Sequence, residues 1–134
     1  MTVKTKGALL WEFNTPWSIE EIEVGEPIHD EFKVQVEVAG MCHSDHHLVT
    51  GAMPMAGFPV LGGHEGSGVV IEVGPGVEDL APGDHVVLSF IPSCGRCRSC
   101  QRGLRNVCDL GALLLNGTSV SDGTHRVHAR GKPV

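Results

Sequence analysis

The sequence has 134 residues and a mass of 14.2 kDa, which suffices for one domain core and not for two. A formal charge of −6, with 41% hydrophobic and 19% charged residues, excludes a disordered chain and argues against a nucleic-acid partner. No stretch approaches the roughly 18 apolar residues of a membrane span, and Glu12, Glu20, Glu21, Glu23, Glu26 and Asp30 stand where a signal peptide would be apolar. No membrane partner and a cytoplasmic location are therefore expected.

With 18 glycines and 8 prolines, the composition favours short strands joined by turns, hence a mainly β fold. In chain order, Ile19 to Val24 reads as a weak strand. Phe32, Val34, Val36 and Val38 alternate with Lys33, Gln35 and Glu37, the period-two pattern of a half-buried strand. That strand delivers the chain to Gly40-Met41-Cys42, after which Ser44 to Thr50 can form a short helix. Val69 to Val73 is a stronger, β-branched strand that stops at Gly74-Pro75-Gly76. Pro82-Gly83-Asp84 turns into Val86-Val87-Leu88. Leu110 to Asn116 is a second short helix, and Ser121-Asp122-Gly123-Thr124 reads as a hairpin turn. Residues 12–84 carry 14 acids and one base, Lys33, whereas residues 96–132 carry seven bases against Asp109 and Asp122. A solvated surface is the common source of such an asymmetry, and an acidic ligand near the C-terminal part the rarer one.

Four of the five cysteines fall within residues 94–108, in the pattern Cys94-x2-Cys97-x2-Cys100-x7-Cys108. An odd total, so crowded, fits a metal better than a disulfide framework. Zinc binds thiolate sulfur tightly and takes four tetrahedral ligands, so four cysteines close its shell and leave no position for a substrate. The expected site is structural. Arg96, Arg98, Arg102 and Arg105 are interleaved with the ligands, where they could offset its negative charge.

The remaining cysteine, Cys42, sits at a strand end in Gly40-Met41-Cys42-His43-Ser44-Asp45-His46-His47. Alone it reads as a small buried hydrophobe. A second segment, Gly62-Gly63-His64-Glu65-Gly66-Ser67-Gly68, changes that reading, because it sets an imidazole and a carboxylate among glycines that admit close backbone approach.

Gly63, His64, Glu65, Gly68, Gly74 and Val77 match GHE-x2-G-x5-G-x2-V, and here the sequence resembles the zinc-dependent medium-chain alcohol dehydrogenases. Cys42 and the four-cysteine segment fall in that family's order. GALLWEFNTPWS, MAGFPVLGGHEGSG and PGDHVVLSFIPSCGRC resemble most its nicotinoprotein and mycothiol-linked branch. The resemblance implies that residues 1–134 form the N-terminal GroES-like domain, a partly closed barrel carrying a zinc lobe at 94–108, incomplete at its C-terminal end before the Rossmann domain. It implies Cys42 and His64 as ligands of a catalytic zinc, Glu65 beside the metal and Asp45 orienting His64. Ser44 and His47 would relay the alcohol proton, and His43 would contact the cofactor pyrophosphate. Ser44 is equally placed to cap the short helix. His46 and His85 have no place in the pattern and read as surface residues.

Function then follows as expectation: alcohol oxidation with zinc as Lewis acid and NAD as hydride acceptor, a small alcohol or aldehyde as substrate, and homo-oligomers among full-length relatives. No G-x-G-x-x-G precedes a helix, and no cysteine follows Cys108 to serve as a third catalytic ligand. The chain alone is therefore expected to be inactive. The competing reading is a stand-alone zinc-binding or regulatory module.

Overall fold

A computed structural model describes the backbone of residues 1–134 and every side chain except that of Leu115. The chain is mainly β, as its composition predicts. Strands β1 (Val3–Leu10), β2 (Ser18–Val24) and β3 (Phe32–Gly40) lead into helix α1 (His43–Thr50). Then come β4 (Val60–Leu61), β5 (Glu65–Val73) and β6 (His85–Val87). A lobe follows with helix α2 (Arg98–Gln101) and two 3-10 turns (Arg105–Val107 and Asp109–Asn116), before β7 (Val127–Ala129) and β8 (Lys132–Pro133).

Two antiparallel sheets result, a five-stranded one in the order β4-β1-β2-β7-β8 and a three-stranded one in the order β3-β5-β6. Leu9, Ile22 and Ala129 form the buried centre of the first, flanked by Trp11, Val24, Leu61, Val127 and Val134. In the second, β3 and β5 run in register from Phe32 opposite Val73 to Gly40 opposite Glu65, with irregularities at Lys33/Val34 and Val36/Val38. A Cβ at Gly68 would strike the carbonyl of Gln35, so only glycine lets the two strands approach there. This pairing matters for function because it ends at Gly40 and Glu65, setting Cys42 beside His64.

Two expectations are corrected. The alternation in β3 does form a strand, but its valines do not form a buried side: Lys33 is the one buried residue at 8% exposure, Val34 is half-buried, Val36 and Val38 are 48% and 66% exposed, and Gln35 and Glu37 are exposed as well. Lys33 is held by Glu72 at 2.6 Å and by the carbonyl of Met1 at 3.1 Å, and the valine side is left open, as is Val87 on β6 at 83%. Ser121 to Thr124 does turn, with Gly123 at φ 73°, yet it joins the second 3-10 turn to β7 and closes no hairpin. The short helix expected over Leu110 to Asn116 is present, wound as a 3-10 helix over Asp109–Asn116. Finally, β1, β4, β7, β8 and α2 lack any strong period in the sequence and are missing from the sequence reading.

Candidate functional site

Two sulfur centres are present. In the lobe, the sulfurs of Cys94, Cys97, Cys100 and Cys108 all lie within 4.8 Å of one another, and all four thiols are unbridged. The tight spacing follows from local structure. Cys97 caps α2, its sulfur accepting from the N–H of Cys100 at 3.4 Å, and the sulfur of Cys94 accepts from the N–H of Cys97 at 3.4 Å.

Those N–H groups have an electrostatic consequence. Backbone donors at Arg96 and Cys97 pull the Cys94 thiol down to about 6, and those of Asp109 and Cys100 lower Cys97. Burial, reinforced by the neighbouring sulfurs, pushes Cys100 up to about 11. Four thiolates so close cannot coexist without a cation, and two of them are already favoured as anions. The donor set therefore fits zinc. Arg96, Arg98, Arg102 and Arg105 form no ion pair with a carboxylate among the described residues, so no acidic side chain neutralises the positive charge they bring to the lobe.

The second centre is assembled across the chain. Cys42 ends the run out of β3 and caps α1; its sulfur lies 3.0 Å from His64 Nε2. The Glu65 carboxylate is within 4.8 Å of both ligand atoms. Asp45 is the joint between the two segments: one carboxylate oxygen accepts from the backbone N–H of Cys42 at 2.9 Å, and the other lies 3.4 Å from His64 Nδ1. That arrangement is a capping box built from Cys42 and Asp45. Ser44 is thus not the cap. It is the second helical residue, and its N–H donates to the Cys42 sulfur at 3.3 Å.

The Ser44 hydroxyl and N–H, aided by His64, hold the Cys42 thiol below its ordinary range. Burial opposes charge on His64, but Cys42, Asp45 and Glu65 outweigh it and raise the imidazole's proton affinity. A thiol biased to thiolate, an imidazole with one nitrogen held by a carboxylate and a nearby second carboxylate form a donor set that suits zinc. Three donors leave a position open.

Beside this centre lies a cleft of about 530 Å³ reached by Ser44, Asp45 and His64. Leu48, Met53, Met55, Phe58, Phe90 and Leu114 give it apolar walls, and the Phe90 ring meets the His64 ring edge-on with centroids 5.3 Å apart. Sequence reading missed these walls. Their one local signal is the Met53-Pro54-Met55 and Phe58-Pro59 run, apolar residues in a segment too broken by proline to be a core element. On the outer side of α1, the ring of His43 lies 5.4 Å from that of His46 and 4.7 Å from that of His47. No helix among the described residues is long and apolar enough to cross a membrane.

The pattern of the alcohol dehydrogenase GroES-like domain matches residues 29–131. Alcohol dehydrogenase B of Mycobacterium tuberculosis is 73% identical over 132 residues, which are 98% of this chain and 35% of that protein. An NDMA-dependent alcohol dehydrogenase of Amycolatopsis methanolica is 48% identical over 129 residues, 96% of this chain and 34% of its own length. Among solved structures, an alcohol dehydrogenase zinc-binding domain protein from Burkholderia ambifaria superposes with a TM-score of 0.91 at 37% identity, covering 100% of this chain and 36% of that one. Benzyl alcohol dehydrogenase from Acinetobacter calcoaceticus gives 0.83 at 30% identity, over 98% and 35%. The chain thus spans about 35% of the length of the curated relatives it matches.

Proposed function

Because the chain belongs to the alcohol dehydrogenase GroES-like domain family, we propose that it is the alcohol-binding, zinc-carrying part of an NAD-linked alcohol dehydrogenase. In this reading residues 1–134 are that enzyme's N-terminal domain, with the lobe at 94–108 as its structural zinc site. The observation that carries the proposal is the convergence of Cys42, His64 and Glu65 at the edge of an apolar cleft. When bound, zinc at that point supplies a Lewis acid for an alcohol oxygen and NAD supplies the hydride acceptor.

The chain's own residues would do the rest. Cys42 and His64 hold the ion, and Glu65, whose carboxylate is within reach of both, is the third donor available among these residues. The Asp45 carboxylate faces His64 Nδ1 across 3.4 Å while Nε2 faces Cys42, an arrangement that would favour the tautomer a ligand needs. Ser44 lines the cleft, and His47 lies one turn further along α1; together they would pass the alcohol proton outward. His43, exposed at the start of α1, would meet the cofactor pyrophosphate. The walls Leu48, Phe58 and Phe90 exclude water and accept an apolar alcohol body. Hydride transfer also requires the nicotinamide to be aligned, worth about 7–11 kcal/mol of barrier, so the isolated chain should be inactive.

The test is a chimera in which this chain replaces the corresponding segment of the 73% identical mycobacterial relative. Zinc-dependent NADH formation at 340 nm with a primary alcohol is expected, and Cys42→Ser and His64→Ala should each abolish it. Turnover surviving both substitutions would overturn the assignment.

A further inference from the structure

We propose that the outer side of α1 carries a site for a divalent late first-row transition metal, with His43 and His47 as its ligands and His46 as a third donor in side-chain reach. The three residues stand at i, i+3 and i+4 of one helix, which is the spacing that stacks side chains on one face. An imidazole nitrogen binds such a metal at about 2.0–2.1 Å. Its ring centroid lies about 1.1 Å behind the nitrogen, so two rings sharing one ion at angles of about 90–110° have centroids about 4.5–5.2 Å apart. His43 and His47 stand at 4.7 Å with their planes at 75°, within that span before any ion arrives. His43 and His46, at 5.4 Å, lie outside that span, so His46 must turn before it can serve as a third donor.

What these rings lack is as informative as where they sit. His64 is committed to Cys42 and Asp45, His125 to the carbonyl of Val134 and His29 to Asp30. None of the rings of His43, His46 and His47 has a hydrogen-bond partner among the described residues. Their nitrogen lone pairs are available, and His43 and His46 are exposed. The one acid of α1, Asp45, is buried and held by the Cys42 N–H and His64, so it offers nothing to this face. A donor set of imidazole nitrogen alone selects nickel, copper, cobalt or zinc over magnesium and calcium, which need oxygen.

The helix itself holds the spacing. Its first turn is locked by the Cys42 and Asp45 capping box, and its last by Met53 N–H and the Thr50 hydroxyl on the carbonyl of His47. The site is separate from the Cys42 and His64 centre and does not depend on the function proposed for it. If that function holds, a metal here withdraws His43 and His47 from cofactor contact and proton relay, and so inhibits.

Nickel(II) alone is the probe, titrated into the chain after one equivalent of zinc has been supplied and the excess removed. The ring proton signals of His43, His46 and His47 are expected to broaden first. His43→Gln and His47→Gln should each weaken nickel binding by at least about tenfold, since loss of a mere orienting partner of a ligand already costs that much. His46→Gln should weaken it less. Equal broadening at His29, His85 and His128, unchanged affinity in His43→Gln, or loss of nickel in Cys42→Ser would each overturn the site, the last by placing the ion at Cys42 and His64.

Discussion

The lobe draws its four thiols from fifteen consecutive positions, Cys94 to Cys108, and a single capped turn of α2 spaces them. The Cys42 and His64 centre takes its two closest donors from positions 22 apart, joined only because β3 pairs with β5 as far as Gly40 and Glu65. Four donors would close a zinc shell, which can stabilise but cannot bind a substrate; three leave one position open, with a cleft beside it. A local site can therefore be made rigid cheaply, whereas an open one depends on the sheet that carries it.

The sharpest way to break this contrast is to compare Cys97→Ser with Cys42→Ser. Removing a lobe ligand should release its zinc and lower the melting temperature by on the order of 10 °C, a few kcal/mol. Cys42→Ser should move it by no more than about 1 kcal/mol, since serine still caps a helix. Thermal unfolding with elemental zinc analysis reads both, and equal destabilisation would end the division.

Next in size is Asp45→Asn. The amide can still accept from the Cys42 N–H, so the helix start should survive, but the charge facing His64 Nδ1 is lost. Zinc affinity at the open centre should fall about 10- to 100-fold with the lobe's zinc unchanged, measured by competition against a chelator. A parallel loss at both centres would show that they are not independent.

A smaller effect is expected from Gly40→Ala. The new Cβ would meet the end of the Glu65 carboxylate, a flexible side chain that can swing away, so stability should change by less than about 1 kcal/mol. The open centre should nonetheless bind zinc more weakly. Unchanged affinity would remove Glu65 from the donor set.

The smallest effect lies outside both centres, in the clamp that holds residues 117–126 against the β2–β3 connection. Arg126 bridges Glu31 at 2.8 Å and Asp122 at 2.7 Å. Arg126, with the Thr124 N–H, holds Asp122 down at about 2. Burial pushes Glu31 up, but Ser121, Arg126, the Ile28 N–H and Ser119 outweigh it and leave it lowered. Both carboxyls are depressed on folding, so their contribution is present above their ordinary values and disappears as pH falls through the folded ones. Stability should decline from pH about 4 toward 2, and Arg126→Met should flatten that decline while lowering stability above it. An unchanged acid slope in the variant would assign it to other carboxylates.

Both centres were legible in the sequence, for different reasons. The lobe is read directly from spacing, because ligands two or seven residues apart are brought together by local turns whatever the rest of the chain does. Cys42 and His64 were legible as ligands through the family resemblance carried by Gly63, His64, Glu65 and Gly68, and of these glycines it is Gly68 that lets β5 lie against β3. The helix after Cys42 and the strands at Phe32 to Val38 and Val69 to Val73 also follow from local period and turn chemistry, although the structure extends the first to Gly40 and starts the second at Glu65.

The remainder was decided by tertiary structure. Alternation in β3 predicted which residues share a face, but not that Lys33 would be the buried one, because that depends on Glu72 standing opposite it in β5. Ser44 looked like a helix cap until the backbone placed Cys42 there, with Asp45 completing the box. The short strands β4, β7 and β8 have too few residues to carry a period; β4 and β7 exist because the distant strands β1 and β2 supply their hydrogen bonds, and β8 then pairs with its neighbour β7. Short-range spacing is a property of the chain alone, whereas burial and long-range pairing depend on what the rest of the fold places alongside.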